Sequence, residues 1–261
     1  MTTQVEAAAD RHRHIIDRLD AVGRVEVGTL ASSLDVAPET IRRDLRLLEQ
    51  QGVLQRVHGG AVRRTERPLS PFDGTTPEHP PQHLRLAELV IDRLPADATV
   101  FIGASPLTWV LAESLSRRPQ AEGMTIVTNS LDVAVVMSRV ERLHIYNVGG
   151  GVEQETRAQQ GGWALDEIGR FQIDLALLAP TGVTVEGGIF ADTPMAAAII
   201  AAEVRSANQI WLMLEAEKLG LPGFIQAAPI DVVDQILTAG TPQPHQTAPF
   251  SDAGITVVSA E

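Results

Sequence analysis

The 261-residue sequence contains no cysteine. That excludes disulfides, thiolate metal sites, a cysteine nucleophile and thiol redox switching. No apolar run approaches the roughly 20 residues that a membrane-spanning helix needs. The opening stretch MTTQVEAAADRHRH has no hydrophobic signal core, so a cytoplasmic protein without a membrane partner is expected. The seven histidines show no metal-ligand spacing, and neither a Gly-rich phosphate loop nor a nucleophile elbow occurs. No metal and no cofactor is therefore expected, and no internal repeat is found. Lysine is nearly missing as well: Lys218 stands alone against 20 arginines. A compositional bias toward arginine accounts for most of that, and it leaves one position where lysine was kept.

Hydrophobic residues make up 44% of the chain and charged residues 21%, the balance of a globular protein with enough length for one small and one medium domain. The net charge of -12 argues against a nucleic-acid partner only as an average. Residues 1–67 hold 11 Arg against 10 acidic residues, and the other 194 hold 10 basic against 23 acidic, so the first part is +1 and the second -13. The two parts are separated by a change of composition after Val62. RRTERPLSPFDGTTPEHPPQH carries Pro68, Pro71, Pro77, Pro80 and Pro81 with no helical or strand period. Proline removes backbone donors and restrains its neighbours, so 63–81 reads as a linker between a domain at 1–62 and another at 82–261.

In the first part, RHRHIIDRLDAVGRV places Ile15, Ile16 and Leu19 on one side, with Val22 behind and Gly23 as a stop. VEVGTLASSLDV gives a second helix of about two turns around Leu30 and Leu34. Pro38 suits the first turn of a third helix, in which Ile41, Leu45 and Leu48 recur at i, i+4 and i+7 and Gly52 closes the end. That stripe sends Thr40, Arg42, Arg43 and Arg46 mostly outward. The tight connection from Leu34 to Ala37 completes the spacing of a helix-turn-helix. VLQRVHGGAV then reads as a hairpin wing around Gly59-Gly60, with Arg56, His58 and Arg63 available to phosphates.

Across about 35 consecutive residues, TLASSLDVAPETIRRDLRLLEQQGVLQRVHGGAV resembles the N-terminal signature of the DeoR family of bacterial transcriptional regulators. The resemblance implies that the helix from Pro38 is a DNA-recognition helix. Arginine suits that task, because its planar fork donates two hydrogen bonds at once to phosphate or to a guanine edge. Ala37 departs from the family, which usually has Ser there. The bland alternative for Arg42 and Arg43 is a solvated helix face pairing with Asp44 or Glu39.

In the second part, TVFIGA, MTIVTNS, LHIYNVGGG, DLALLAP, IWLMLEAEKLG, DQILTA and ITVVSA read as strands alternating with helices such as HLRLAELVIDRL, TWVLAESL, LDVAVVMSR and PMAAAIIAAEVRSA. Near-continuous apolar strands between helices indicate a mainly parallel sheet covered on both faces. The expected fold is thus a small α+β winged helix-turn-helix followed by an α/β domain. VTNSLDVA, VGGG, GWALDEIGRFQIDLALLAPTGV and EKLG extend the resemblance to the DeoR C-terminal sensor domain, which is similar in fold to ribose-5-phosphate isomerase and coenzyme A transferases. The resemblance implies a homo-oligomer and an effector that is a sugar, polyol or phosphorylated sugar.

Carried over residue by residue, the family's Asp-x-Gly-Thr-Thr loop falls on Gly103-Ala104-Ser105-Pro106-Leu107, and its Asp-His-Ser-Lys on Glu215-Ala216-Glu217-Lys218. Pro106 has no amide hydrogen and Leu107 no hydroxyl to cradle a phosphate at a helix N-terminus. Two readings stay open. Gly103, Ser105, Asn129, Gly149, Gly150, Glu215 and Lys218 line an altered effector pocket, or they are remnants in which the triple glycine is only a turn and Asn129 a strand-to-helix corner. Trp109 and Trp163 are expected in the core. The resemblance implies a repressor of carbohydrate or related genes and no enzyme activity. The alternative is a sugar-phosphate isomerase-like enzyme or metabolite-binding protein with an N-terminal interaction module.

Overall fold

The computed structural model describes residues 11–19, 24–50, 54–57, 59–63 and 79–260. They belong to two compact units, Met1–Arg67 and Pro68–Glu261.

In the first unit, α1 (11–19) precedes β1 (Arg24–Glu26), α2 (Val27–Ser33), α3 (Pro38–Gln50), β2 (Leu54–Val57) and β3 (Gly60–Arg63). Pro38 opens α3, where a missing amide hydrogen costs nothing because that amide has no helical acceptor. Ile41, Leu45 and Leu48 join Ile15, Leu19, Leu30 and Leu54 in one core. The wing is a three-stranded antiparallel sheet, β1-β3-β2, and not a hairpin alone. Arg24–Glu26 falls between two expected helices, and three residues are too few for an alternation to show. Its approach explains Gly60: a Cβ there would lie 2.0 Å from the Val25 carbonyl oxygen. Gly59 takes φ +81 at the hairpin tip, a conformation that side chains rarely adopt. The expected helix stops Gly23 and Gly52 lie outside the described residues.

The second unit runs α4 (Pro81–Ile91), β4 (Thr99–Ile102), α5 (Pro106–Leu115), β5 (Thr125–Thr128), α6 (Leu131–Met137), β6 (His144–Asn147), then the ribbon β7 (Gly151–Val152) and β8 (Gln159–Gln160). It continues through α7 (Gly162–Ile168), β9 (Ile173–Leu178), β10 (Gly182–Thr184), β11 (Gly188–Ala191), α8 (Pro194–Ser206) and β12 (Ala207–Glu215). It ends with β13 (Ile225–Ala228), β14 (Gln235–Ala239), α9 (Pro244–Asp252) and β15 (Thr256–Ala260).

Seven strands form one sheet in the order β15-β14-β12-β9-β4-β5-β6, and every neighbouring pair is parallel. Residue alternation along β4 divides the core. Val100 and Ile102 meet α4, α5 and α6 on one face, while Phe101 meets α7, α8 and α9 on the other. The chain winds outward from β4 to β6, returns to lay β9 on the other side of β4, and winds outward again to β15. The reversal between β4 and β9 is the topological switch point of the sheet, and crevices open there beyond the carboxyl ends of the strands.

The small antiparallel sheet β10-β11-β13 and the ribbon β7-β8 have no counterpart in the sequence reading. Their strands are two to four residues long and broken by glycine, so period 2 never becomes visible. Trp109 is buried at 2% exposure, as expected. Trp163 corrects the reading: it is 78% exposed. α7 buries Ala164 and Ile168 at i and i+4, and Trp163, one residue before Ala164, is turned about 100° away from that stripe.

Candidate nucleic-acid interface and ligand site

The geometry of α3 separates its charges. Asp44 points inward, where Arg11 donates to it from Nη2 at 3.0 Å and from Nε, and His12 Nε2 lies 3.0 Å from its Oδ1. Burial alone would raise the Asp44 carboxyl, but these bonds and the Arg11 charge outweigh it and hold the group below its ordinary value. α1 is thereby pinned to α3 by the one polar residue on the buried side of that helix. Arg42, Arg43 and Arg46 are exposed and Thr40 is half-buried beside them.

Arg42 donates to Glu39 at 3.0 Å across one turn. So the pairing with Glu39 exists, whereas Asp44 is engaged with α1. An exposed i,i+3 pair contributes only about 0.2–0.5 kcal/mol, too little to withhold an arginine from a phosphate. Arg43 and Arg46 have no ion pair among the described residues. Arg56 on the wing is exposed and sits 3.6 Å from Glu49, whose other oxygen accepts the Arg56 backbone N–H at 2.9 Å. Arg63 ends β3 opposite Leu54. Its side chain and the whole of His58 lie outside the described residues. At the start of α3, Ala37 offers only its carbonyl, to the Thr40 and Ile41 amides.

In the second unit the proposed ligand residues all fall at carboxyl ends of strands. Gly103 follows β4, Asn129 follows β5, Gly149 and Gly150 follow β6, and Glu215 ends β12 with Lys218 in the next turn. Ile102 pairs with Thr128 and Thr128 with Asn147, so the first three groups stand at adjacent strand ends. Glu215 and Lys218 stand across β9 from them.

Their polar groups are already engaged. Ser105 caps α5 by accepting the Thr108 amide at 3.0 Å, and Pro106 occupies the first helical position. Gly149 donates its amide to Glu167 at 2.6 Å, a carboxylate where an anion would otherwise bind. Gly150 has φ +139, and a Cβ would lie 2.6 Å from the Gln160 carbonyl, so this glycine serves the close packing of the ribbon. Lys218 lies 2.7 Å from Glu215, and His83 on α4 lies 3.6 Å from the other oxygen of Glu215. Burial would raise the Glu215 carboxyl, but the Lys218 charge and hydrogen bond hold it low. Burial also holds the His83 imidazole below its usual value against the pull of Glu215. Asn129 is buried and ties the corner to the ribbon: its carbonyl accepts the Gln159 amide at 2.7 Å and its Nδ2 donates to the Gln159 carbonyl at 3.4 Å.

Two groups at this edge escaped the sequence reading. His83 is one, a polar residue in an amphipathic helix with nothing to mark it. Glu203 is the other, 2% exposed on α8, with its carboxyl 3.7 Å from where a Gly103 side chain would begin. A signal for it existed: Glu203 lies four residues after Ile199 and directly follows Ala202, in phase with the buried stripe of an Ala-rich helix.

Residues 11–67 match the DeoR-like helix-turn-helix domain, and residues 78–239 match the DeoR C terminal sensor domain. The chain belongs to the DeoR family. Like other members of the DeoR family it is a DNA-binding transcriptional regulator with a sensor domain, and the isomerase-like alternative is not favoured. It is 26% identical over 232 residues to the glycerol-3-phosphate regulon repressor of Escherichia coli K12, covering 89% of this chain and 91% of that one. It is 29% identical to the transcriptional regulator GlpR of Haloferax volcanii, covering 96% and 97%. It is 27% identical to the transcriptional repressor GlcR of Bacillus subtilis 168, covering 87% of each. A ribose 5-phosphate isomerase A from Methanocaldococcus jannaschii aligns with 52% of this chain and 53% of its own at 13% identity, with a TM-score of 0.37, a likeness that carries no functional argument. Among the described residues no helix is long and apolar enough to cross a membrane, and no cluster of three metal-ligating side chains occurs.

Proposed function

We propose that this DeoR-family regulator is a cytoplasmic repressor of carbohydrate or polyol genes. Residues 1–62 read an operator, 63–81 act as the linker, and 82–261 form a homo-oligomer that binds a small effector at the carboxyl edge of the sheet. In this reading Thr40, Arg42, Arg43 and Arg46 face the major groove, and Arg56, His58 and Arg63 take phosphates along the wing. The repressor assignment rests on the relatives, two of which are named repressors of a glycerol-3-phosphate regulon and of transcription. The observation that carries the DNA interface is the division of charge on α3: Asp44 is turned in to α1, while three arginines in five residues are left facing out.

An effector acts only by favouring one arrangement of the DNA-binding heads, since equal affinity for both shifts nothing. The pair Lys218 and Glu215 offers a route. Glu215 also touches His83 in the first turn of α4, which directly follows the linker. A ligand that engages Lys218 changes the charge facing that turn. A two-fold dimer would place its half-sites about one helical turn apart.

The test is fluorescence anisotropy on a duplex selected from a randomised pool, read against salt. Each lost phosphate contact lowers the log-log slope by about 1, whereas a lost base contact costs about 1–3 kcal/mol and relaxes specificity at one position. Arg42→Ala, Arg43→Ala and Arg46→Ala are each expected to show one pattern or the other. Wild-type binding by both Arg43→Ala and Arg46→Ala overturns the recognition-helix reading.

A further inference from the structure

Among the described residues of the second unit, Glu203 is a buried acid without a partner. It has no hydrogen bond or ion pair to any described residue, and it lies on α8 with its two oxygens 3.7 and 3.9 Å from the Cβ position of Gly103. Gly103 is the first residue beyond β4, beside β9, where its amide reaches the Leu177 carbonyl at 3.3 Å. That is the switch point of the sheet, the place where this topology leaves a crevice. With no cation near, burial pushes the Glu203 carboxyl up to about 8, so near neutral pH it is mostly an uncharged acid, able both to donate and to accept.

Two more unpartnered acceptors lie at this corner. Among the described residues Asn129, one strand end away and 3% exposed, has no partner for its Oδ1, and Gln159, bonded to Asn129 through the backbone, none for its buried Oε1. Unsatisfied buried polar atoms cost about 1–3 kcal/mol each, and such groups are retained where something else completes them. Two orphaned acceptors and one unpaired acid along neighbouring strand ends call for a partner rich in hydrogen-bond donors.

The same edge is poor in what holds a phosphate. Lys218 stands 2.7 Å from the Glu215 carboxylate, which an incoming phosphate would also face, Arg157 donates to the buried Asp132 at 3.0 Å, the Gly149 amide is taken by Glu167, and the N-terminus of α5 has Pro106 at its first position and Ser105 on the Thr108 amide. A phosphate dianion would meet the Glu167 and Glu215 carboxylates beside these donors. A hydroxyl-rich neutral molecule would meet acceptors that need what it carries.

We propose that the sensor domain recognises an unphosphorylated polyhydroxylated compound, a polyol or free sugar, through hydrogen bonds from its hydroxyls to Glu203 and Asn129 at the switch point between β4 and β9. This rests on the reading of the carboxyl edge as the effector site. Glu203 is the specificity-determining group: a neutral acid there can donate to one hydroxyl and accept from another.

The experiment uses the full chain with xylitol, D-mannitol, myo-inositol and D-ribose set against glycerol 3-phosphate, ribose 5-phosphate and inorganic phosphate. Calorimetric titration gives affinity, and anisotropy of the selected duplex is read on the same samples. At least one neutral compound is expected to bind. Glu203→Leu, which removes a buried polar group without leaving a void, is expected to weaken it about tenfold or more, the loss of roughly 1.4 kcal/mol of hydrogen bonding. Glu203→Gln, which keeps a donor and an acceptor, is expected to stay within about threefold. Binding by phosphorylated compounds only, a neutral ligand indifferent to Glu203→Leu, or no binding in a chain that still holds DNA each overturns the proposal. Neutral binding that depends on Glu203 but leaves DNA affinity unchanged upholds the site and overturns the effector reading instead.

Discussion

The two units treat charge in opposite ways. In the first, α3 turns its single buried carboxylate onto α1 and leaves Arg43 and Arg46 exposed and without an ion pair among the described residues. In the second, Lys218, Arg157 and the Gly149 amide each face a carboxylate, and the buried Glu203 carboxyl has no ion pair among the described residues. The first unit is therefore prepared for a polyanion although the chain as a whole carries -12. The second presents unpartnered buried acceptors at its carboxyl edge. Net charge describes neither surface, because affinity follows the charges that remain free after intramolecular pairing.

The sharpest way to break this comparison is to titrate it. The folded Glu203 carboxyl lies at about 8 against an ordinary 4.5, so the native state holds this proton more tightly than the unfolded chain. Its contribution is fully present below about pH 4.5 and is lost as pH rises through 8, on the order of 4 kcal/mol across that window. Urea unfolding of the second unit should show wild type weakening from pH 5.5 to pH 9 while Glu203→Gln stays nearly flat. Parallel behaviour of the two proteins would mean that Glu203 ionises freely.

The mirror experiment in the first unit is smaller and opposite in sign. Asp44 sits below its ordinary 3.8, so its contribution holds above about pH 4 and falls away as pH drops through the folded value. Asp44→Asn should cost the first unit on the order of 2 kcal/mol at pH 7 and release α1, seen as early melting of that unit and loss of DNA binding while the second unit melts as before. An unchanged first transition would deny Asp44 its role. The smallest effect sharpens the same contrast: Ala37→Ser supplies the missing cap on α3 and should raise the stability of the first unit by about 1 kcal/mol or less, measured by its melting temperature, with no change in the second.

Much of the architecture was legible because it rests on local periodicity. Ile41, Leu45 and Leu48 at helical spacing, with Pro38 before them, mark α3 and push its arginines outward. The runs VFI, TIVT, LALL and QILTA are apolar without interruption because a doubly covered parallel strand buries both faces. What stayed hidden depended on contacts between segments far apart in the chain. β1 is three residues whose strand character exists only in pairing with β3, and Gly60 is required only because Val25 comes to 2.0 Å from where its side chain would start. Trp163 was misread because an aromatic residue signals burial on average, whereas a position one residue off a two-residue stripe faces solvent.

By itself, then, the sequence determined the two-part organisation, α3 with its outward arginines, the alternating α/β pattern and the family, since each is written in spacing that a single segment can carry. Tertiary structure alone decided which charges remain free. Lys218 and Gly149 stood open between pocket and remnant until Glu215 was found 2.7 Å from the lysine and Glu167 on the glycine amide, and Glu203 went unremarked until α8 carried it beneath Gly103. Pairing and burial are properties of distance in space, and a linear chain does not record them.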